Sequence, residues 1–190
     1  TIKAVITFFH ESCKRKSLLP NIPLLCVIRW ASKYKHGTIF REHFEHLYNQ
    51  LGTLSMTTSG STWQNAHQLF CSMISSTFLF CLVIISSYSA LLEPVTQALQ
   101  AVNLDMPKVH NHIENLLKIF RSHRKEVEEV FRTDIFDKVM IIAEKLNIHL
   151  TVPRQCARQI HRSNPRSSNV EDYFRQTIFI PNLDSLNSSL

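Results

Sequence analysis

A mainly α-helical fold, arranged as an antiparallel bundle, is what this 190-residue sequence predicts, on three observations. Only 3 Gly are present, too few for a hairpin-rich all-β fold or a phosphate-cradling loop. Several segments repeat apolar residues at helical spacing. The stretch Ala66 to Leu92 carries no Asp, Glu, Lys or Arg, so it reads as either the central helix of the domain or a membrane span. With 44% hydrophobic and 19% charged residues, the chain has the composition of a globular protein.

Taken in order, Ile2 to Phe9 is β-branched and aromatic, and reads as a short strand or the start of a buried helix. His10 to Pro20 is a polar, basic connector, with Lys14, Arg15 and Lys16 in a solvated turn. Beyond the apolar patch Ile22 to Ile28, Phe40, Phe44, Leu47 and Leu51 lie on one helix face. Gly52 to Thr62 is rich in Ser, Thr and Gly and predicts a loop.

The central run follows. A span needs basic flanks and an aromatic belt, but Gln64, Asn65, His67 and Glu93 flank this one, and six Ser lie within it. Pro94 predicts a break or kink. Asp105 and Pro107 form a helix start, Asp105 capping free N–H groups and Pro107 fitting the first turn. Val109, Ile113, Leu116, Leu117 and Phe120 then define one apolar face, continued by Val127, Val130 and Phe131. A recap at Thr133 or Asp134 and a stripe Ile135, Val139, Ile142 and Leu146 complete the pattern. A last amphipathic helix starts after Pro181.

Between these last helices, Arg154, Arg158, Arg162 and Arg166 recur every fourth residue. On a helix they would form one basic stripe able to meet phosphates. Pro165 and the surrounding Ser and Asn favour an exposed linker.

Chemistry-bearing constellations are sparse. His36, His43 and His46 share a region, but no Cys pair or acid at a suitable spacing completes a metal site, so they read as surface histidines. The 5 Cys are scattered, without a CxxC pair, and read as reduced buried thiols. Glu126, Glu128 and Glu129 lie among Arg and Lys, as solvated ion pairs do. No catalytic motif is present. The net charge of +6 is compatible with a polyanionic partner. The chain begins without Met or a signal-peptide pattern and ends inside an amphipathic pattern, which predicts a piece of a longer protein.

Laid end to end, several short motifs resemble transposases of the hAT superfamily. The likeness is to the domesticated group that includes zinc finger MYM-type proteins and the repressor of the inhibitor of the protein kinase. They are Phe8-Phe9 with Ser12-Cys13-Lys14-Arg15; Arg29-Trp30-Ala31-Ser32-Lys33-Tyr34; Thr77-Phe78-Leu79-Phe80 with Leu99-Gln100 and Leu104-Asp105-Met106; and a tail. The tail comprises Pro153-Arg154, His161-Arg162-Ser163-Asn164, Glu171 to Arg175, Ile180-Pro181, Leu183-Asp184 and Leu190. Ile28 stands where the family has Thr.

The resemblance implies a helical bundle inserted in an RNase H-like domain, with a short N-terminal strand region. Residues 1–32 would be the edge of that core with the Arg-Trp motif, 33–149 the insertion bundle, 150–169 a basic linker and 170–190 the start of the C-terminal core and dimerisation region. The three metal-binding carboxylates would lie outside the chain, so no catalytic or metal residue is assigned, and a divalent metal such as Mg is expected only for an intact catalytic parent.

The expected function is that of a nuclear, DNA-binding, self-associating fragment without catalytic activity of its own and without a membrane. Arg29 would make a phosphate or structural contact and Trp30 would stack on a base or pack in the core, joined on DNA by Arg154, Arg158, Arg162 and Arg166. The alternatives are a transposase-derived interaction module without DNA binding, and a membrane-anchored protein spanning near residues 69–92.

Overall fold

The computed structural model describes residues 1–19, 22, 30–101, 105–154 and 169–189, with the side chains of 30–35 outside that description. The fold is mainly helical, and none of the described residues forms a strand. They divide into two compact units, Thr1–Glu93 and Pro94–Leu190.

The first unit opens with α1 (Ile2–His10), not the expected strand region. Val5, Ile6 and Phe9 are fully buried while Lys3 and Ala4 are exposed. That is burial at helical spacing, and it overrides the β-branched composition. In the connector, α2 (Cys13–Lys16) is a single turn. Its Lys14 and Lys16 are exposed as expected. Arg15 is not: it lies over the Phe8 ring at 4.1 Å and pairs with Glu11 at 3.6 Å. His10 Nε2 donates to the Ile22 carbonyl and His46 Nε2 to that of Leu18, tying the connector down.

The stripe Phe40, Phe44, Leu47 and Leu51 is buried as expected, although it crosses from α3 (Trp30–Glu42) into α4 (Phe44–Thr57). The expected loop Gly52–Thr62 shrinks to Thr58 and Ser59, because α4 runs to Thr57 and α5 (Gly60–Met73) starts at once. Hydroxyls of Thr53, Ser55 and Thr57 return to carbonyls three or four residues back, so they sit within the helix rather than ending it. Tyr48 and Phe70 hold the two helices together, with ring centroids 4.9 Å apart. A Cβ at Gly52 would come within 3.3 Å of the Phe70 ring, so any larger residue there makes that ring shift by a few tenths of an ångström.

The central apolar run is two helices. α5 ends at Met73, and Ser75 Oγ accepts from Phe78 N to start α6 (Ser76–Leu99). No single helix covers 69–92. Leu79, Phe80, Leu82, Val83, Ile84 and Tyr88 are buried around most of the circumference of α6, and Ser76, Ser86 and Ser89 are buried with them. Ser86 Oγ donates to the Val83 carbonyl and accepts from Arg41 Nη1 at 3.1 Å, which links α6 to α3. Pro94 does not break α6, which continues to Leu99. Pro94 and Ala90 are both exposed, so the carbonyl deprived of its partner at Ala90 is open to water.

In the second unit, Asp105 caps α7 (Met106–Lys125) as expected, accepting from Lys108 N at 3.1 Å, with Pro107 in the first turn. Val109, Leu116 and Phe120 are buried. The expected recap at Thr133 or Asp134 is absent: α8 (Val127–Val130) passes through a π-helical turn, Phe131–Phe136, into α9 (Asp137–Lys145). Asn147, at φ 52°, ends the run, with Ile148 N bonded to the Ala143 carbonyl.

A second continuous run joins α10 (Val170–Phe174), a π-helical turn Arg175–Phe179 and α11 (Ile180–Ser189). The last helix therefore does not begin after Pro181 but passes it. The preceding widened turn is where Pro181, lacking an N–H, is accommodated. Each π turn carries a fully buried phenylalanine, Phe131 and Phe179, with centroids 5.2 Å apart.

Candidate nucleic-acid interface

Of the six residues expected to meet DNA, the described chain places two. Trp30 is the first residue of α3. Arg154 is exposed in the segment 148–154, which has no regular structure. Arg29, Arg158, Arg162 and Arg166 lie outside the described residues, as does the side chain of Trp30. The basic stripe is therefore not assembled by the described residues.

Other cations are. In the second unit, Arg175 is largely covered and bridges Glu128 at 3.1 Å and Asp172 at 2.8 Å, tying α10 to α8. Arg124 pairs with Asp184 at 2.7 Å, Arg132 with Glu171 at 3.6 Å and Lys138 with Asp134 at 3.7 Å. Of the acids read as solvated ion pairs, Glu128 thus has a defined partner in Arg175. On α7, Lys118, Arg121 and Lys125 are exposed and have no ionic partner among the described residues. Their spacing of three and four is readable in the sequence, next to the acids Glu126, Glu128 and Glu129.

The histidines do not converge. His36 is buried in α3, and His46 is engaged with the Leu18 carbonyl. Among the described residues no three His, Cys, Asp or Glu side chains gather to hold a metal ion.

Several clefts open among the described residues. One, ≈ 540 Å³, lies between α1 and α5 and is lined by Lys3, Thr7, Phe8, Glu11, Asn65 and Gln68 among others. A second, ≈ 380 Å³, is bordered by His36, Gly37, Phe78 and Cys81. Burial pushes the Cys81 thiol above its ordinary value, which disfavours the nucleophilic thiolate. A third, ≈ 360 Å³, sits at the end of α9 beside Asn147 and Ile148. On the exposed face of α5, Trp63 stacks on His67, with rings 9° from parallel and centroids 5.8 Å apart. His67 Nε2 lies 3.6 Å from the exposed Cys71 Sγ. α6 is long and apolar enough to cross a membrane by length and composition, and half of its most apolar window is buried inside the fold.

No family model, curated protein or solved structure matches this chain.

Proposed function

We propose that this chain is the helical insertion region of a hAT transposase-derived nuclear protein, holding DNA without cutting it. The observation that carries the reading is the order of the short motifs, from Phe8-Phe9 through Arg29-Trp30 to Tyr173-Phe174-Arg175. The mainly helical fold supports it, since an insertion bundle must be helical. So does the net charge of +6, which favours a polyanionic partner. The rest of the RNase H-like core that such a bundle interrupts, the metal-binding carboxylates and the remainder of the dimerisation region belong to the parent protein in this reading. Arg29 meets phosphate, Trp30 offers a base-stacking face, and Arg154, Arg158, Arg162 and Arg166 follow the backbone.

The test is duplex DNA binding by fluorescence anisotropy across a salt series. Replacing the four arginines of residues 154–166 with Ala lowers the slope of log K against log salt by about 3.6 if all four contact phosphates. Trp30→Ala weakens binding to a single-stranded end by about 1–3 kcal/mol. Wild-type protein that ignores DNA at low salt would sink the reading.

A second reading, a membrane anchor, draws on the length and composition of α6. Carbonate extraction of cell membranes decides it: an anchor stays in the pellet, whereas the helical DNA-binding fragment is released.

A further inference from the structure

We propose that the outward face of α7, carried by Lys118, Arg121 and Lys125, docks on the phosphate backbone of duplex DNA. The proposal rests on the reading that this chain binds DNA, and it assigns a contact surface in the second unit that the arginines of residues 154–166 do not include.

At about 100° per residue, the three side chains fall within about 60° of one another, and their positions span about 10 Å of helix axis. Val109, Leu116 and Phe120 are buried on the opposite side of the same helix. The cations are therefore held outward by the packing of the apolar face. Charge is also segregated along the chain. Residues 106–125 hold Lys108, Lys118, Arg121, Arg124 and Lys125 against a single acid, Glu114.

Pairing then separates these cations by role. Arg124, on the flank of α7, is used internally by Asp184 of α11. Glu114 lies one turn before Lys118, but its described partner is His110 at 3.4 Å. Lys118, Arg121 and Lys125 remain exposed and unpaired among the described residues. Three outward cations over that length match the charge spacing along one strand of a duplex, whose phosphates supply about one negative charge per 3.4 Å of axis. A rigid helix holds them together, so little ordering is needed on contact.

The experiment uses the whole chain and the triple variant Lys118→Gln, Arg121→Gln, Lys125→Gln. Gln keeps helix propensity and removes only charge. The control removes three exposed cations elsewhere: Lys3→Gln, Lys14→Gln, Lys16→Gln. Anisotropy of a labelled duplex is followed across a salt series. Three lost phosphate contacts lower the salt slope by about 2.7, which removes about 40-fold of the change in affinity between about 50 and about 200 mM salt. The control shifts the slope by less than about 1. Because all three positions are exposed, the triple keeps its helical circular dichroism, and Arg121→Glu alone provides a second variant that must also weaken binding.

A triple that retains the wild-type slope overturns the proposal, and so does a control that falls equally. Loss of binding to anionic vesicles with DNA binding intact assigns the face to lipid and overturns it too. The two claims separate cleanly. If the 154–166 arginine variant loses binding and the α7 triple does not, only this proposal fails. With the opposite pattern, the α7 face stands and the arginine stripe falls. A wild-type chain without DNA affinity refutes both.

Discussion

Replacing Phe131 with Ala tests how the second unit is held together. Phe131 opens the π-helical turn between α8 and α9, is fully buried, and faces Phe179 of the other π turn at 5.2 Å. Phe136 is a second ring neighbour at 6.5 Å. Truncating a buried phenylalanine costs about 3–5 kcal/mol, and the lost ring pair places this site in the upper half, at about 4 kcal/mol. With a urea dependence of about 2 kcal/mol per molar, the midpoint falls by about 2 M. Far-UV circular dichroism in a urea series measures it. Trp63→Ala is the comparison, because Trp63 is 41% exposed and stacks only on the rim of α5. Its midpoint should move by less than about 0.5 M. A Phe131→Ala shift that small would refute the claim that the two π turns meet in a packed core.

Two further outcomes follow from local geometry. Gly60 opens α5 at φ 67°, and nothing lies near the position of an added Cβ. Gly60→Ala therefore loses no contact and clashes with nothing, yet destabilises by about 1–2 kcal/mol through backbone strain alone; an unchanged urea midpoint would contradict that φ. The second concerns thiols. Cys13 and Cys71 are exposed, whereas burial pushes the Cys81 thiol up. At neutral pH iodoacetamide should modify Cys13 and Cys71 first, with the half-buried Cys81 reacting more slowly. Peptide mapping by mass spectrometry reads the order, and modification of Cys81 before the other two would contradict its partial cover and raised pKa.

Much of the helical pattern was legible in the sequence because apolar spacing reports which face is buried. Phe40, Phe44, Leu47 and Leu51, and the cap at Asp105, were readable for that reason. The misreadings share a cause: local composition was weighed above tertiary packing. β-branched residues at 2–9 suggested a strand, but α1 buries them at helical spacing. The Ser and Thr of residues 52–62 suggested a loop, but their hydroxyls bond back within α4. Pro94 suggested a break or a kink and Pro181 the start of a new helix, yet each lies in a continuing helix. Neither π turn has a sequence signature that periodicity can detect, since one widened turn merely shifts the stripe.

The candidate site was less legible than the fold. A basic face is recognisable only when each cation's partner is known, and partners such as Asp184 for Arg124 lie 60 residues away. Sequence spacing marked Arg154 to Arg166 as a stripe, while Lys118, Arg121 and Lys125 were hidden beside the acids that follow them. The partly covered environment of Arg15, over Phe8 and beside Glu11, was equally invisible in a run of three basic residues.

The measurement that tests the central claim most directly is ultraviolet cross-linking of the whole chain to duplex DNA with single-stranded ends, followed by mass mapping of the cross-linked peptides. The account predicts adducts on the peptide containing Trp30, on residues 154–166 and on the outward face of α7. It is contradicted if no adduct forms at low salt, or if the adducts map only to the charge-free stretch between His46 and Leu92.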